Sequence, residues 1–271
     1  MRRRHIWWFT LLLLPALGWF AVHGWTKVRQ SRLCATEYEP APPGMVLVPA
    51  GEFWMGSNDP KAEPDERPLR KIFLAAFYID QFEVTNRRYK EFAKDYHYPP
   101  GEDDLPVTFV RKSEAEAFCR WSGRRLPTSA EWEKAARGTD GRIYPWGNQF
   151  SAERANINRR SQLAPTTVAL CKLPLASSNG KLPGGSFPKG ASPYGCQDMA
   201  GNVWEWVSDK WTDRNAFGIK SNDDPRGIIR GGAYSYSPLQ ARASYQGFEA
   251  LGATCHDVGF RCAMDAIAKV K

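Results

Sequence analysis

The chain has 271 residues, 42% hydrophobic and 24% charged, with a formal net charge of +8. These are ordinary globular proportions, with length enough for one large domain or two small ones around a buried core. The basic residues are scattered, as at Arg120, Arg124 and Arg125, with no basic stripe interleaved with aromatics, so nucleic acid is not the expected partner.

At the amino terminus, Arg2, Arg3 and Arg4 precede an apolar run over 6–22, long enough to span a bilayer. Arginines stay on the cytoplasmic side, so the rest of the chain is expected to be exported. Trp7, Trp8, Trp19 and Trp25 fall near both ends of the run, where an aromatic belt would lie. No small-x-small cleavage site follows, and Cys34 lies too far downstream for a lipoprotein box. The expected organisation is an uncleaved signal anchor over 1–25, a linker over 26–43 and a folded domain over 44–271. The chain would then be a single-pass protein of a bacterial inner membrane with its domain in the periplasm.

Eleven Trp, 23 Gly and 20 Pro point to a loop-rich fold held by buried indoles. Residues 44–53 read as a strand, a Pro-Ala-Gly turn and the start of a second strand, and 69–80 suggest another. Glu83-Val84-Thr85-Asn86 opens a short helix, capped by Thr85 or Asn86, with Tyr89, Phe92 and Ala93 inward. A stronger helix covers 113–122, with Ser113 as N-cap, Glu116 at capping-box spacing and Gly123 as the stop. Ala115, Phe118, Cys119 and Trp121 or Ser122 are its expected core face. A third helix is capped by Thr128 or Ser129, buries Trp132, Ala135 and Ala136, and ends at Gly138. Beyond Gly138 the pattern is short strands and loops.

These pieces form an ordered series. It includes Gly51-x-Phe53-x-Met55-Gly56-Ser57, Glu83-Val84-Thr85-Asn86, Arg125-Leu126-Pro127-Thr128, Glu131-Trp132-Glu133 and Tyr144-Pro145-Trp146-Gly147-Asn148. It continues through Asp198-Met199-x-Gly201-Asn202-Val203-Trp204-Glu205-Trp206, Arg230-Gly231-Gly232 and Gly259-Phe260-Arg261-Cys262. Over about 44–265 the chain resembles the formylglycine-generating enzyme, or sulfatase-modifying factor, family. The resemblance implies an α+β, loop-rich, C-type-lectin-like fold with short helices and few regular strands.

It also implies structural calcium. One ion would be held by Asp198, Gly201, Val203 and Glu205, through two carboxylates and backbone groups. A second would use Asn156 and the backbone of Ile157, with a further element near Asn179 and Lys181. A loop-rich domain leaves carbonyls without sheet partners, and a hard cation can collect them.

Six cysteines in an exported chain permit disulfides. The resemblance implies a bridge between Cys119 and Cys262, a long loop for which the chain-entropy model gives about 4–5 kcal/mol. Cys171 could pair with Cys255 or with Cys196, and the sequence does not choose. The four histidines are isolated, and no His-x3-His-x-Glu iron motif of the related oxygenases is present.

Family members that make formylglycine carry two cysteines five residues apart just after Gly-Gly-Ser, where a thiolate pair binds Cu(I). Here the matching frame places Tyr236 and Ala241 at those positions, and no cysteine lies between Cys196 and Cys255. A phenol is a hard oxygen with a pKa near 10, so no copper is expected. Two function classes remain. One is a non-catalytic binding or maturation partner for an exported protein, a peptide or a small polar ligand. The other is a periplasmic oxidoreductase with non-thiol chemistry, such as siderophore-chromophore maturation, using Tyr236, Arg242 and His256. The enzyme reading requires those three side chains to converge in one cleft.

Overall fold

A computed structural model describes residues 36–158, 180–211 and 226–269. The anchor expected over 1–25, Cys34, Cys171 and Asn179 lie outside them. Contacts divide the chain into units 1–37 and 38–271. The folded unit therefore starts before the expected boundary at residue 44. Glu39 N–H donates to the Ile267 carbonyl at 2.8 Å, and Tyr38 bridges to Ala268, so the end of the expected linker is pinned to the segment that follows the domain's last strand. Among the described residues no helix is long and apolar enough to cross a membrane.

Among the described residues, nine short strands and three α-helices carry the domain. Strands β1 (Met45–Val48), β4 (Phe77–Asp80) and β9 (Ala263–Asp265) form one antiparallel sheet in the order β1-β4-β9. Strands β2 (Gly51–Met55) and β3 (Arg70–Leu74) form a separate hairpin-like pair. The single strand expected over 69–80 is thus two, broken at Ala75-Ala76 so that its halves pair with different neighbours. The third sheet contains β5 (Trp204–Lys210), β6 (Arg226–Arg230), β7 (Gly247–Ala250) and β8 (Val258–Phe260), ordered β7-β6-β5-β8 with β5 and β8 parallel.

Helix α1 (Asn86–Phe92) is capped by Thr85, whose hydroxyl accepts from Arg88 N–H at 3.3 Å. Helix α3 (Ser129–Arg137) is capped by Thr128, one of the two expected caps, in a full capping box: Thr128 Oγ1 accepts from Glu131 N–H at 3.1 Å, and Glu131 Oε2 accepts from Thr128 N–H at 2.8 Å. Gly138, at φ 72°, ends it. Helix α2 (Lys112–Trp121) departs from expectation at its start. Its N-cap is Arg111, whose N–H is taken by Glu114 at 2.7 Å, and Ser113 lies inside the helix. Lys112 turns inward and donates to the carbonyls of Ser208 and Asp209, which draws the first turn onto β5. Trp121 is 53% exposed, resting on Phe92 and Phe118 rather than entering the core.

The sheet of β5 to β8 packs its indoles against α2 and α3. Trp132, Trp204 and Trp206 are fully buried. Behind Trp132 lies a charged core: Glu133 Oε2 accepts from Arg230 at 2.6 Å and Oε1 from Arg137 at 2.9 Å. Arg230 also donates to the carbonyls of Ala243, Ser244 and Tyr245 and covers the Trp132 ring at 5.4 Å. This network ties α3 to β6 and to the 243–245 segment.

Candidate functional site

The strand β6 delivers the chain to Gly231 (φ 97°) and Gly232 (φ 76°). A Cβ at Gly232 would lie 3.1 Å from the Gln240 carbonyl, so glycine lets the two ends of the following loop close on each other. The positions of the family's thiol pair lie in this loop, and both are sealed: Tyr236 is 1% exposed and Ala241 0%. The Tyr236 ring meets Trp204 edge-on at 5.4 Å, and burial, with Asp257 and Glu249 adding, pushes its phenol far above the usual range.

The described thiols lie elsewhere. Cys119 Sγ and Cys262 Sγ are 3.1 Å apart, and both are fully buried in the cluster that contains Tyr89, Phe118 and Phe260. The Cys262 thiol is pushed well up, by burial first and then by Cys119. Cys196 is buried in a separate cluster, its thiol raised to about 11 by burial. Cys255 is disulfide-bonded. The one close pair of described thiols is therefore a core feature and lines no cavity.

A cavity of about 710 Å³ lies beside Tyr234. The loop after α1 supplies one wall with Tyr96, His97, Tyr98, Pro99 and Glu102. The strand-like segment before α2 supplies Thr108 and Phe109, and the far side holds Lys181, Tyr234 and His256. Tyr96 and Tyr98 are held by their hydroxyls, which donate to Asn86 Oδ1 at 2.9 Å and Asp103 Oδ1 at 3.0 Å. Phe109 has φ 59°, an uncommon conformation for an aromatic residue, and its N–H donates to the Cys255 carbonyl at 2.8 Å.

Of the three predicted catalytic candidates, this cavity takes only His256. Its ring lies 6.2 Å from that of Tyr234, and Nε2 is 3.9 Å from Asp257 Oδ2. Tyr236 is in the core. Arg242 is spent on structure: it donates to the Glu66 carboxylate and, at 2.8 Å, to the Lys61 carbonyl, and it covers the Tyr245 ring. The three do not converge. Asp257, which sequence reasoning did not single out, lies under His256 at 1% exposure. Neither of its oxygens has a hydrogen-bond partner in normal geometry, although the Ser235 hydroxyl helps its charged form. Burial raises its pKa to about 6, with His256 opposing.

Asp198 has φ 58°, and its Oδ2 accepts from Gly185 N–H at 2.6 Å. Glu205 is fully engaged: Arg261 Nε and Nη2 each reach it at 2.7 Å, and Trp132 Nε1 at 2.8 Å. Nearby, Glu83 accepts from Asn202 Nδ2 at 3.0 Å through Oε1, and its Oε2 is buried without a partner. Burial, with Asp198 next, pushes the Glu83 carboxyl well above its usual range, and burial also raises Asp198. Three buried carboxylates thus share the Arg261 guanidinium. This negative excess and the orphaned oxygen suit a hard cation, with Asp198 and the carbonyls of Gly201 and Val203 as donors and Glu205 as a shared counter-ion. Among the described residues no group of three or more His, Cys, Asp or Glu is arranged to hold a metal. At the second expected site, the Asn156 amide nitrogen donates to the Gly180 carbonyl at 2.8 Å and to Asn202 Oδ1 at 3.1 Å.

The sulfatase-modifying factor enzyme 1-like domain matches residues 30–266. The chain belongs to this family. Sulfatase-modifying factor relatives include the formylglycine-generating enzyme of Bos taurus, 28% identical, with 83% of this chain and 76% of that one covered. They also include the inactive C-alpha-formylglycine-generating enzyme 2 of Mus musculus, 28% identical, with 83% and 86% covered. Among solved structures, PvdO from Pseudomonas aeruginosa superposes with a TM-score of 0.64 at 25% identity, covering 82% of this chain and 94% of that one. The few helices and mixed sheets of this chain are those of a formylglycine-generating-enzyme-like fold.

Proposed function

We propose that this sulfatase-modifying factor domain is a binding or maturation partner that has lost copper-thiolate oxidation. It would be carried on an amino-terminal membrane anchor, act in the periplasm, and take an exported peptide or small polar ligand. The observation that carries this reading is the pair Tyr236 and Ala241, which fills the thiol positions with sealed side chains. A Cu(I) centre needs soft donors, and neither a buried phenol nor a methyl group supplies one. The open cavity beside Tyr234 remains for a ligand. The oxidoreductase alternative gains no support from the geometry, since Arg242 and Tyr236 are committed elsewhere.

Two structural staples belong to this reading. Calcium would be held by Asp198, Gly201 and Val203, with Glu205 beside them. Cys119 and Cys262, already in contact, would close a disulfide in an oxidising compartment. EDTA should lower the melting temperature by about 5 °C or more, reversed by calcium. Thiol labelling of denatured, unreduced protein should miss Cys119 and Cys262 until a reductant is added.

The deciding experiment is oxygen uptake by the purified chain with cysteine-containing peptides, with and without copper. No copper-dependent turnover is expected. Turnover that needs copper would overturn the proposal.

A further inference from the structure

We propose that the cavity beside Tyr234 is a site for a small aromatic carboxylate, with Lys181 as the anion contact and Tyr96, Tyr98, Phe109 and Tyr234 as ring walls. This rests on the binding reading above and names its ligand class.

Lys181 is the carrying observation. Its side chain is half-buried at the cavity, and its Nζ donates to two neutral acceptors, the Pro106 carbonyl at 3.1 Å and Thr108 Oγ1 at 2.9 Å. An ammonium has three hydrogens, so one remains. Among the described residues no carboxylate lies within ion-pair distance of it, and Glu102 acts on it only at longer range. Burial lowers its pKa, as expected for a cation taken from water without a counter-ion. A ligand carboxylate would supply that counter-ion and use the remaining hydrogen, a charge-assisted bond in a partly desolvated site.

The walls select the rest of the ligand. The tyrosine hydroxyls at 96 and 98 are tied to Asn86 and Asp103, so their rings are positioned before a ligand arrives. Phe109 is held at φ 59° with its ring 59% exposed at the rim. Such a backbone conformation is strained for an aromatic residue, and a side chain left this exposed recovers little of that cost by burial in the free protein. A ligand ring laid against it would recover more. The volume of about 710 Å³ falls within the range of small-ligand sites. Among the described residues no arginine lines the cavity, which disfavours a phosphate ligand. A cationic ligand would place a second positive charge beside Lys181.

The test is calorimetric titration of the full chain with four probes: N-acetylphenylalanine, its C-terminal amide, N-acetylalanine and phenethylamine. A tetrapeptide ending in phenylalanine is a fifth arm that separates a chain terminus from a free acid as the source of the carboxylate. The acid should bind about tenfold more tightly than its amide, and more tightly than N-acetylalanine. Lys181→Met should bring the acid-to-amide ratio to about one without weakening the amide, and Lys181→Arg should keep the preference. Phe109→Ala should weaken acid and amide by the same factor. Equal binding of acid and amide by the parent chain, tighter binding of phenethylamine, or no heat from any probe at millimolar concentration would overturn the proposal. These outcomes are separate from oxygen uptake, so the ligand class can fail while the loss of copper chemistry stands.

Discussion

The charged core behind Trp132 and the cavity side of the domain treat buried charge in opposite ways. In the core, Glu133 takes Arg137 and Arg230 on its two oxygens, and Arg230 fills further donors with the carbonyls of 243–245. Around the cavity, Asp257 has two orphaned oxygens and Lys181 has only neutral partners. The core pairs are built on α3 and β6, whereas the cavity is lined by loop segments and the start of α1. Paired charges hold a loop-rich scaffold in one arrangement, whereas unpaired ones raise the energy of the free protein and are tolerated where something else is to bind.

The contrast can be broken most severely in the core. Arg230→Ala should destabilise the domain by about 3–5 kcal/mol, because it leaves Glu133 buried with half its counter-charge gone. Equilibrium unfolding in urea would show this, and a loss under 1 kcal/mol would mean the network is not structural. Gly201→Ala comes next. Gly201 has φ 86°, and a Cβ there would sit 2.2 Å from the Asn156 carbonyl oxygen. A loss of about 2–4 kcal/mol is expected from the clash and the left-handed backbone together.

The partly buried acid Asp65 sharpens the comparison through pH. Burial, then Glu66, raises its pKa to about 6, and its Oδ1 has no partner. The folded state therefore binds the proton more tightly than the unfolded state. Its contribution to stability is fully present below the unfolded value of 3.8 and is lost as pH rises through about 6. Asp65→Asn should then be more stable than the parent by roughly 2 kcal/mol at pH 8, with the advantage shrinking towards pH 4. A pH series of melting curves for both proteins checks the sign. The smallest expected effect is at the cavity rim. Phe109→Asn, better suited to φ 59°, should raise stability by about 1 kcal/mol. The same change should weaken binding of N-acetylphenylalanine, which would separate stability from ligand affinity at a single residue.

The parts that were legible before the structure are local. Thr128 announced α3 and Thr85 announced α1 because an N-cap is a contact between near neighbours in the chain. The start of α2 was misplaced by two residues, since Lys112 is drawn inward by carbonyls nearly a hundred positions away. The missing thiols could be read from Gly231-Gly232 and the absence of cysteine between Cys196 and Cys255, whereas the sealing of those positions could not. Burial of Glu205 against Arg261 could not, because a carboxylate with a carry-over role as a ligand looks the same whether or not an arginine reaches it. The aromatic run Tyr96-His97-Tyr98-Pro99 was a visible signal for the cavity, but Phe109, Lys181 and His256 reach it from three other segments.

By itself, the amino-acid sequence determined the family, the caps of α1 and α3 and the loss of the copper-binding sulfurs, because each depends on which residues are present at short, countable spacings. The tertiary structure alone decided which ionisable groups are paired and which are left facing a cavity. Pairing depends on distances between segments remote in the chain and on how much water each group has lost, and neither quantity is written in residue order.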